Sequence, residues 1–239
     1  RNWSSSGTFL AQVDSTAPTG SVTLGFSLTN LANVTLPLNC NDGIGAGCAQ
    51  MQFSNDNVNW SYLETYTIGR AWTLSPPDGL KTVYARFKDA AGSLTAAVTT
   101  TITLDTTAPN LPVVNGVTPT NNTRPTWTWT SGDGGGNGTY RYSLNDSMMA
   151  AILGNGTQTS YTPTTALSEG PQTLYVQERD TAGNWSLSGS FTILIDTTAP
   201  NVPAVTGMAL TSNNKPTWTW ASGGGGGAGA YRYRLDNSD

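Results

Sequence analysis

The sequence has no histidine, three lysines, three glutamates and two cysteines among its 239 residues. Without histidine, the Ser/His/Asp and Cys/His arrangements of nucleophilic catalysis cannot be assembled. Glu64, Glu169 and Glu178 stand beside twelve aspartates, and none is marked out as a general acid. The cysteines lack the histidines or second cysteine pair that would complete a tetrahedral zinc site. Charged residues make up only 11% of the chain, with a net charge of −4, so there is no basic surface for a phosphate backbone and nucleic acid is not an expected partner. No apolar run approaches the about 20 residues needed to cross a bilayer. The segment is expected to carry neither a membrane-inserting anchor nor a targeting signal, and not to be an enzyme.

Thr, Ser, Asn and Gly crowd the chain, and strong helix formers are scarce. Eight Trp and nine Tyr are spread along it, enough aromatic volume for packed cores. The expectation is strands and turns. Cys40 and Cys48 flank the flexible run Asn-Asp-Gly-Ile-Gly-Ala-Gly and are read as a disulfide of an oxidising, extracellular setting, the alternative being two buried thiols.

Self-similarity is the strongest signal. Asp-Ser/Thr-Thr-Ala-Pro occurs at Asp14–Pro18, Asp105–Pro109 and Asp196–Pro200, and 105 − 14 = 196 − 105 = 91. The same offset carries Pro125–Trp129 onto Pro216–Trp220 and Tyr140–Tyr142 onto Tyr231–Tyr233. Asn2–Phe9 resembles Asn184–Phe191 at twice that offset. The expected organisation is the last strand of a preceding repeat over 1–14, whole repeats over 15–105 and 106–196, and the first half of another over 197–239. Within the second repeat, alternating runs predict strands near 111–115, 124–131, 139–144, 160–163, 172–179 and 188–196, with no helical stripe. The predicted fold class is all-β, tandem antiparallel sandwiches with a 91-residue repeat.

Asp-Thr-Thr-Ala-Pro, Pro-Thr-Trp-Thr-Trp, Tyr-Arg-Tyr-Ser-Leu and Tyr-Val-Gln-Glu-Arg-Asp-Thr-Ala-Gly-Asn-Trp together resemble the bacterial immunoglobulin-like (fibronectin type III-like) tandem repeats of large surface proteins and adhesins. The repeat at 15–105 departs from this pattern, with Asn-Val-Thr-Leu-Pro-Leu-Asn-Cys where the others have paired Trp. The resemblance implies an immunoglobulin-like sandwich in an extracellular or cell-surface array. It implies no ligand, because the fold hosts many functions.

Three sets of residues are candidates for function. Trp127 and Trp129 form a period-two pair, read as core in preference to a sugar-stacking platform. In an immunoglobulin-like sandwich the linker, one loop and the last hairpin turn meet at one end of each repeat. That end would gather Asp14, Asp42 and Asp89 in one repeat and Asp105, Asp133, Asp180 and Asn184 in the next. Such oxygen-rich groups suit Ca²⁺, and the competing reading is Asx turns. Trp60, Tyr62 and Trp72 of the deviant repeat are candidates for holding a glycan or host surface protein. The expected role is a structural surface stalk or filament body, in which partners are neighbouring repeats or other copies. Alternatives are an adhesin module and a spacer in a secreted multidomain enzyme.

Overall fold

The structure, a computed structural model, describes residues 6, 7 and 13–235. Apart from residues 6, 7, 13 and 14, the strand expected over 1–14 lies outside the described residues, as do 236–239 at the far end.

Two sandwiches follow one another. In the first, β1 (Thr19–Val22), β3 (Asn33–Asn41) and β6 (Gly69–Thr73) form one sheet in the order β1-β3-β6. The facing sheet runs β2-β8-β7-β4-β5, from β2 (Leu28–Thr29), β4 (Cys48–Ser54), β5 (Glu64–Thr65), β7 (Gly79–Asp89) and β8 (Val98–Leu104). In the second, β9 (Val113–Gly116), β10 (Trp127–Thr130) and β13 (Ser160–Tyr161) oppose the sheet β12-β11-β14-β15. Its strands are β11 (Gly136–Leu144), β12 (Gly154–Gly156), β14 (Gly170–Asp180) and β15 (Gly189–Ile195). A hairpin of β16 (Ala204–Gly207) and β17 (Trp218–Ala221) comes last. No helix occurs among the described residues.

Alternation along the strands decides what is buried, because successive side chains point to opposite faces. Val34, Leu36 and Leu38 of β3 and Val83, Ala85 and Phe87 of β7 point inward and meet in the first core. Trp127 and Trp129 of β10 meet Tyr140, Tyr142, Leu174 and Val176 in the second, so the Trp pair is core. Edge-to-face and tilted rings link Trp129 to both tyrosines, at 6.1 and 5.2 Å between centroids. The indole N–H of Trp127 donates to the Phe191 carbonyl at 3.0 Å, whereas that of Trp129 is buried without a partner.

The longest strands keep the repeat offset: β14 starts and ends 91 residues after β7, and β15 stands 91 after β8. Sequence reading missed β12, a Gly-Asn-Gly stretch with no side-chain pattern, which pairs with β11 through Tyr140↔Gly156 and Tyr142↔Gly154.

Candidate functional site

The chemistry gathers where each sandwich meets the linker before it. Cys40 is the last residue but one of β3 in one sheet and Cys48 opens β4 in the other. Their disulfide, with Cα atoms 6.2 Å apart, closes the loop between the sheets. This loop delivers Asp42. The Asp42 carboxylate accepts the Gly47 N–H at 2.6 Å, and Asp14, at the end of the entering linker, accepts the Ala46 N–H at 2.7 Å and the Thr16 N–H at 3.0 Å. Those two donors, Thr16 first, hold the Asp14 carboxyl below the usual carboxylate range. Asp89 ends β7 and is 2% exposed. Its Oδ1 accepts the N–H groups of Gly92 and Ser93, three and four residues on, at 2.6 and 2.8 Å, which ties the turn after β7 to the strand end. Its Oδ2 is buried with no hydrogen-bond partner. One carboxylate oxygen from each of Asp14, Asp42 and Asp89 lies within 4.8 Å of the other two. Gly45 lets the loop come this close: a Cβ there would sit 2.5 Å from Asp42 Oδ2 and 2.7 Å from Asp14 Oδ2.

The corresponding end of the second sandwich is built from the same parts and closed differently. Asp180 Oδ1 accepts the N–H groups of Gly183 and Asn184 at 2.6 and 2.8 Å, as Asp89 does 91 residues earlier. Here the Asn184 amide donates to Asp180 Oδ2 at 2.8 Å and to the linker carbonyls of Asp105 and Thr107 at 2.8 and 3.3 Å. Asn184, Asp180 and the Asp105 backbone are thus brought together. Asp133 sits in the loop at φ 67°, where its carbonyl accepts the Asn110 N–H, and it does not join a carboxylate cluster among the described residues.

A second clamp holds each linker from the side of the preceding sandwich. Asp78 accepts the Thr106 N–H at 2.8 Å and the hydroxyls of Thr106 and Thr107 at 2.9 Å each. Glu169, 91 residues on, accepts the hydroxyls of Thr197 and Thr198 at 2.7 Å each. These bonds, the Thr106 N–H and the Thr197 hydroxyl leading, lower both carboxyl pKa values. Sequence reading passed over both acids. Their shared repeat position before a Thr-Thr linker was the available signal.

The loop pinned by the disulfide in the first sandwich is pinned by a carboxylate in the second. Glu178, fully buried on β14, accepts the Ser131 hydroxyl at 2.7 Å and the Gly138 N–H at 3.2 Å. Ser131 stands 91 residues after Cys40, and Glu178 replaces Phe87.

The candidate aromatics of the first sandwich face different surroundings. Trp72 packs on the core, 5.6 Å from Phe53, and its indole donates to Asn55 Oδ1 at 2.8 Å. Trp60 lies under the Arg86 guanidinium at 4.0 Å, on the outer side of β7. Tyr62 is 97% exposed. Trp185, beyond the Asp180 turn, is stacked against Arg141 at 4.4 Å.

Among solved structures, the chain is similar to the fibronectin(III)-like modules of CbhA from Clostridium thermocellum. The identity is 13% over 74% of this chain and 94% of that one, with a TM-score of 0.47. It is also similar to a three-domain segment of titin, at 14% identity over 75% of this chain and 66% of that one, with a TM-score of 0.40. A search of the curated proteins gives no match. Residues 115–197 match the family model of the bacterial Ig-like domain. The second sandwich is accordingly a bacterial Ig-like domain, a class typical of extracellular surface proteins and generally without catalytic activity.

Proposed function

We propose that this chain is a structural stalk segment of an extracellular surface protein, in which serial sandwiches hold other parts of the molecule at a distance. One observation carries the reading: each Thr-Thr-Ala-Pro linker is held by a carboxylate of the sandwich before it, Asp78 or Glu169. The Asn184 amide of the second sandwich also holds the linker that precedes it. A linker bonded from both sides loses the freedom a free tether of its length would have. The partners in this reading are the neighbouring sandwiches of the same chain. The disulfide supports an extracellular address.

Small-angle scattering on the whole 239-residue chain tests this. The wild type is expected to fit one narrow distribution of sizes, and the double variant Asp78→Ala/Asn184→Ala a broader one with both sandwiches still folded. Equal breadth in the two proteins would remove the stiff-spacer reading.

A further inference from the structure

Charge in the two sandwiches is sorted by face. Of the seven lysines and arginines in residues 15–196, four stand on the outward side of the longest strands: Arg86 and Lys88 on β7, Arg141 on β11 and Arg179 on β14. No Asp or Glu occupies the outward positions of β11, β14 and β15. In the second sandwich the Arg179 backbone bridges that of Trp185, and the indole gathers two guanidiniums, 4.4 Å from Arg141 and 5.8 Å from Arg179. Arg141 Nε donates to Gln177 Oε1 at 2.7 Å, so ring and amide fix the guanidinium, while its two terminal nitrogens have no hydrogen-bond partner among the described residues. The one ion pair among the described residues, Arg70–Glu64, involves neither arginine. Tyr175 lies on the same face, diagonal to Arg141 across the β11–β14 register, a spacing of about 7–8 Å in such a pair. The first sandwich carries related parts: Tyr84 and Lys88 stand 91 residues before Tyr175 and Arg179, and Arg86 lies over Trp60 at 4.0 Å.

We propose that the outer face of β11 and β14 binds an acidic polysaccharide, with Arg141 and Arg179 taking its carboxylates and Trp185 and Tyr175 its sugar rings. A guanidinium presents a planar fork that pairs with a carboxylate through two parallel N–H donors. One already fixed by a ring and an amide loses little freedom on pairing. Trp185 and Tyr175 are half-buried, so part of each ring meets solvent and offers an apolar surface to the C–H side of a sugar. Around them Thr139, Gln177 and Ser190 supply hydroxyls and an amide for the sugar hydroxyls. Two cations per face are too few for a phosphate backbone. The site is also the open surface of a sheet and not a strand edge, so an extended peptide has no ladder to join. Both sandwiches carry cations, an indole and a tyrosine on the corresponding sheet, which suits a polymer held at more than one point. The proposal goes beyond the spacer reading and is independent of it, because a loss of binding leaves the scattering result untouched.

The test is calorimetric titration of the whole 239-residue chain at low salt with polygalacturonate, uncharged dextran, polyglutamate and a DNA duplex, together with proton–nitrogen NMR of the indole and guanidinium N–H groups. Polygalacturonate is expected to bind, dextran not to, and polyglutamate and the duplex to bind more weakly. The Trp185 indole and Arg141 Nε–H resonances are expected to shift with polygalacturonate. Arg141→Gln and Arg179→Gln should each weaken binding about tenfold, the loss of one charge-assisted pair, and Trp185→Leu should weaken it as well. Arg124→Gln makes the same change of charge at an exposed residue ahead of β10 and is expected to bind as the wild type does. The proposal is overturned if polygalacturonate gives neither heat nor shifts, or if dextran, polyglutamate or the duplex binds as tightly. It is also overturned if Arg141→Gln, folded by circular dichroism, binds as the wild type does or no more weakly than Arg124→Gln.

Discussion

Glu178 shows how a single side chain can replace a covalent bond. In the first sandwich the inter-sheet loop is tied by Cys40–Cys48, with Phe87 filling the core beneath it. In the second, Glu178 takes the place of Phe87 and ties the loop by accepting from Ser131 and Gly138. Gly136 is required beneath it, because a Cβ there would overlap the Glu178 carboxylate. The same carboxylate, after burial itself, raises the pKa of the neighbouring Tyr140 hydroxyl. Removing the carboxylate orphans two half-buried donors and leaves a void where the buried side chain stood, so Glu178→Ala should cost about 1–3 kcal/mol in chemical denaturation followed by tryptophan fluorescence. An unchanged midpoint would mean the loop is held by other contacts. Trp127, fully buried between the sheets, should cost more: Trp127→Ala is expected to lose roughly 3–5 kcal/mol in the same measurement.

Among the elements, strands with a two-residue rhythm were legible and those without it were not. Trp127 and Trp129, Tyr140 and Tyr142, and Leu174, Val176 and Glu178 alternate in the sequence and point inward in the structure. The short β12 carries no such rhythm and is set by its pairing with β11. Likewise β2 is two residues long and joins its sheet by parallel pairing with β8, a contact that local sequence does not encode. The close spacing and the glycine-rich loop favoured a disulfide over two thiols, and the structure shows the bond joining β3 and β4 across the two sheets. In the chain-entropy picture, replacing both cysteines by alanine should remove roughly 2–3 kcal/mol from the first sandwich and leave the second unaffected. Differential scanning calorimetry that separates the two transitions checks this, and equal shifts in both would contradict it.

For the whole molecule, the linkers set how one sandwich follows another, and their clamps are partly ionic. Folding lowers the pKa of Asp78, chiefly through the Thr106 N–H, so the clamp's contribution is complete above the unfolded carboxyl value of about 4. It is lost as pH falls through the lower folded value. Carbon-13 NMR of the side-chain carboxyls should therefore show Asp78 titrating below an exposed aspartate. In Asp78→Asn the Thr106 amide shift should no longer follow that titration. A normal midpoint for Asp78 would contradict the clamp.

Alternation, spacing and a repeated phrase along the chain were enough for the all-β class, the rhythm of the long strands and the residue types at the sandwich ends, and they favoured a disulfide over two thiols, which the structure decides. Asp14, Asp42 and Asp89, more than 70 positions apart from first to last, become neighbours only when the linker, the inter-sheet loop and the end of β7 meet. Which of the two ends is left with an orphaned carboxylate also depended on the fold, since only the geometry places the Asn184 amide between Asp180 and the linker. Burial shows the same division. Trp127 and Trp129 pair with β9 in the register that Trp218 and Trp220 repeat with β16. Yet the first pair is 0% and 2% exposed, and the second 44% and 42%. Local sequence writes the hairpin twice, but a tryptophan becomes core only where a second sheet lies across it, as β11, β14 and β15 do in the second sandwich, whereas among the described residues Trp220 of β17 is met by the rings of Tyr231 and Tyr233 and by no second sheet.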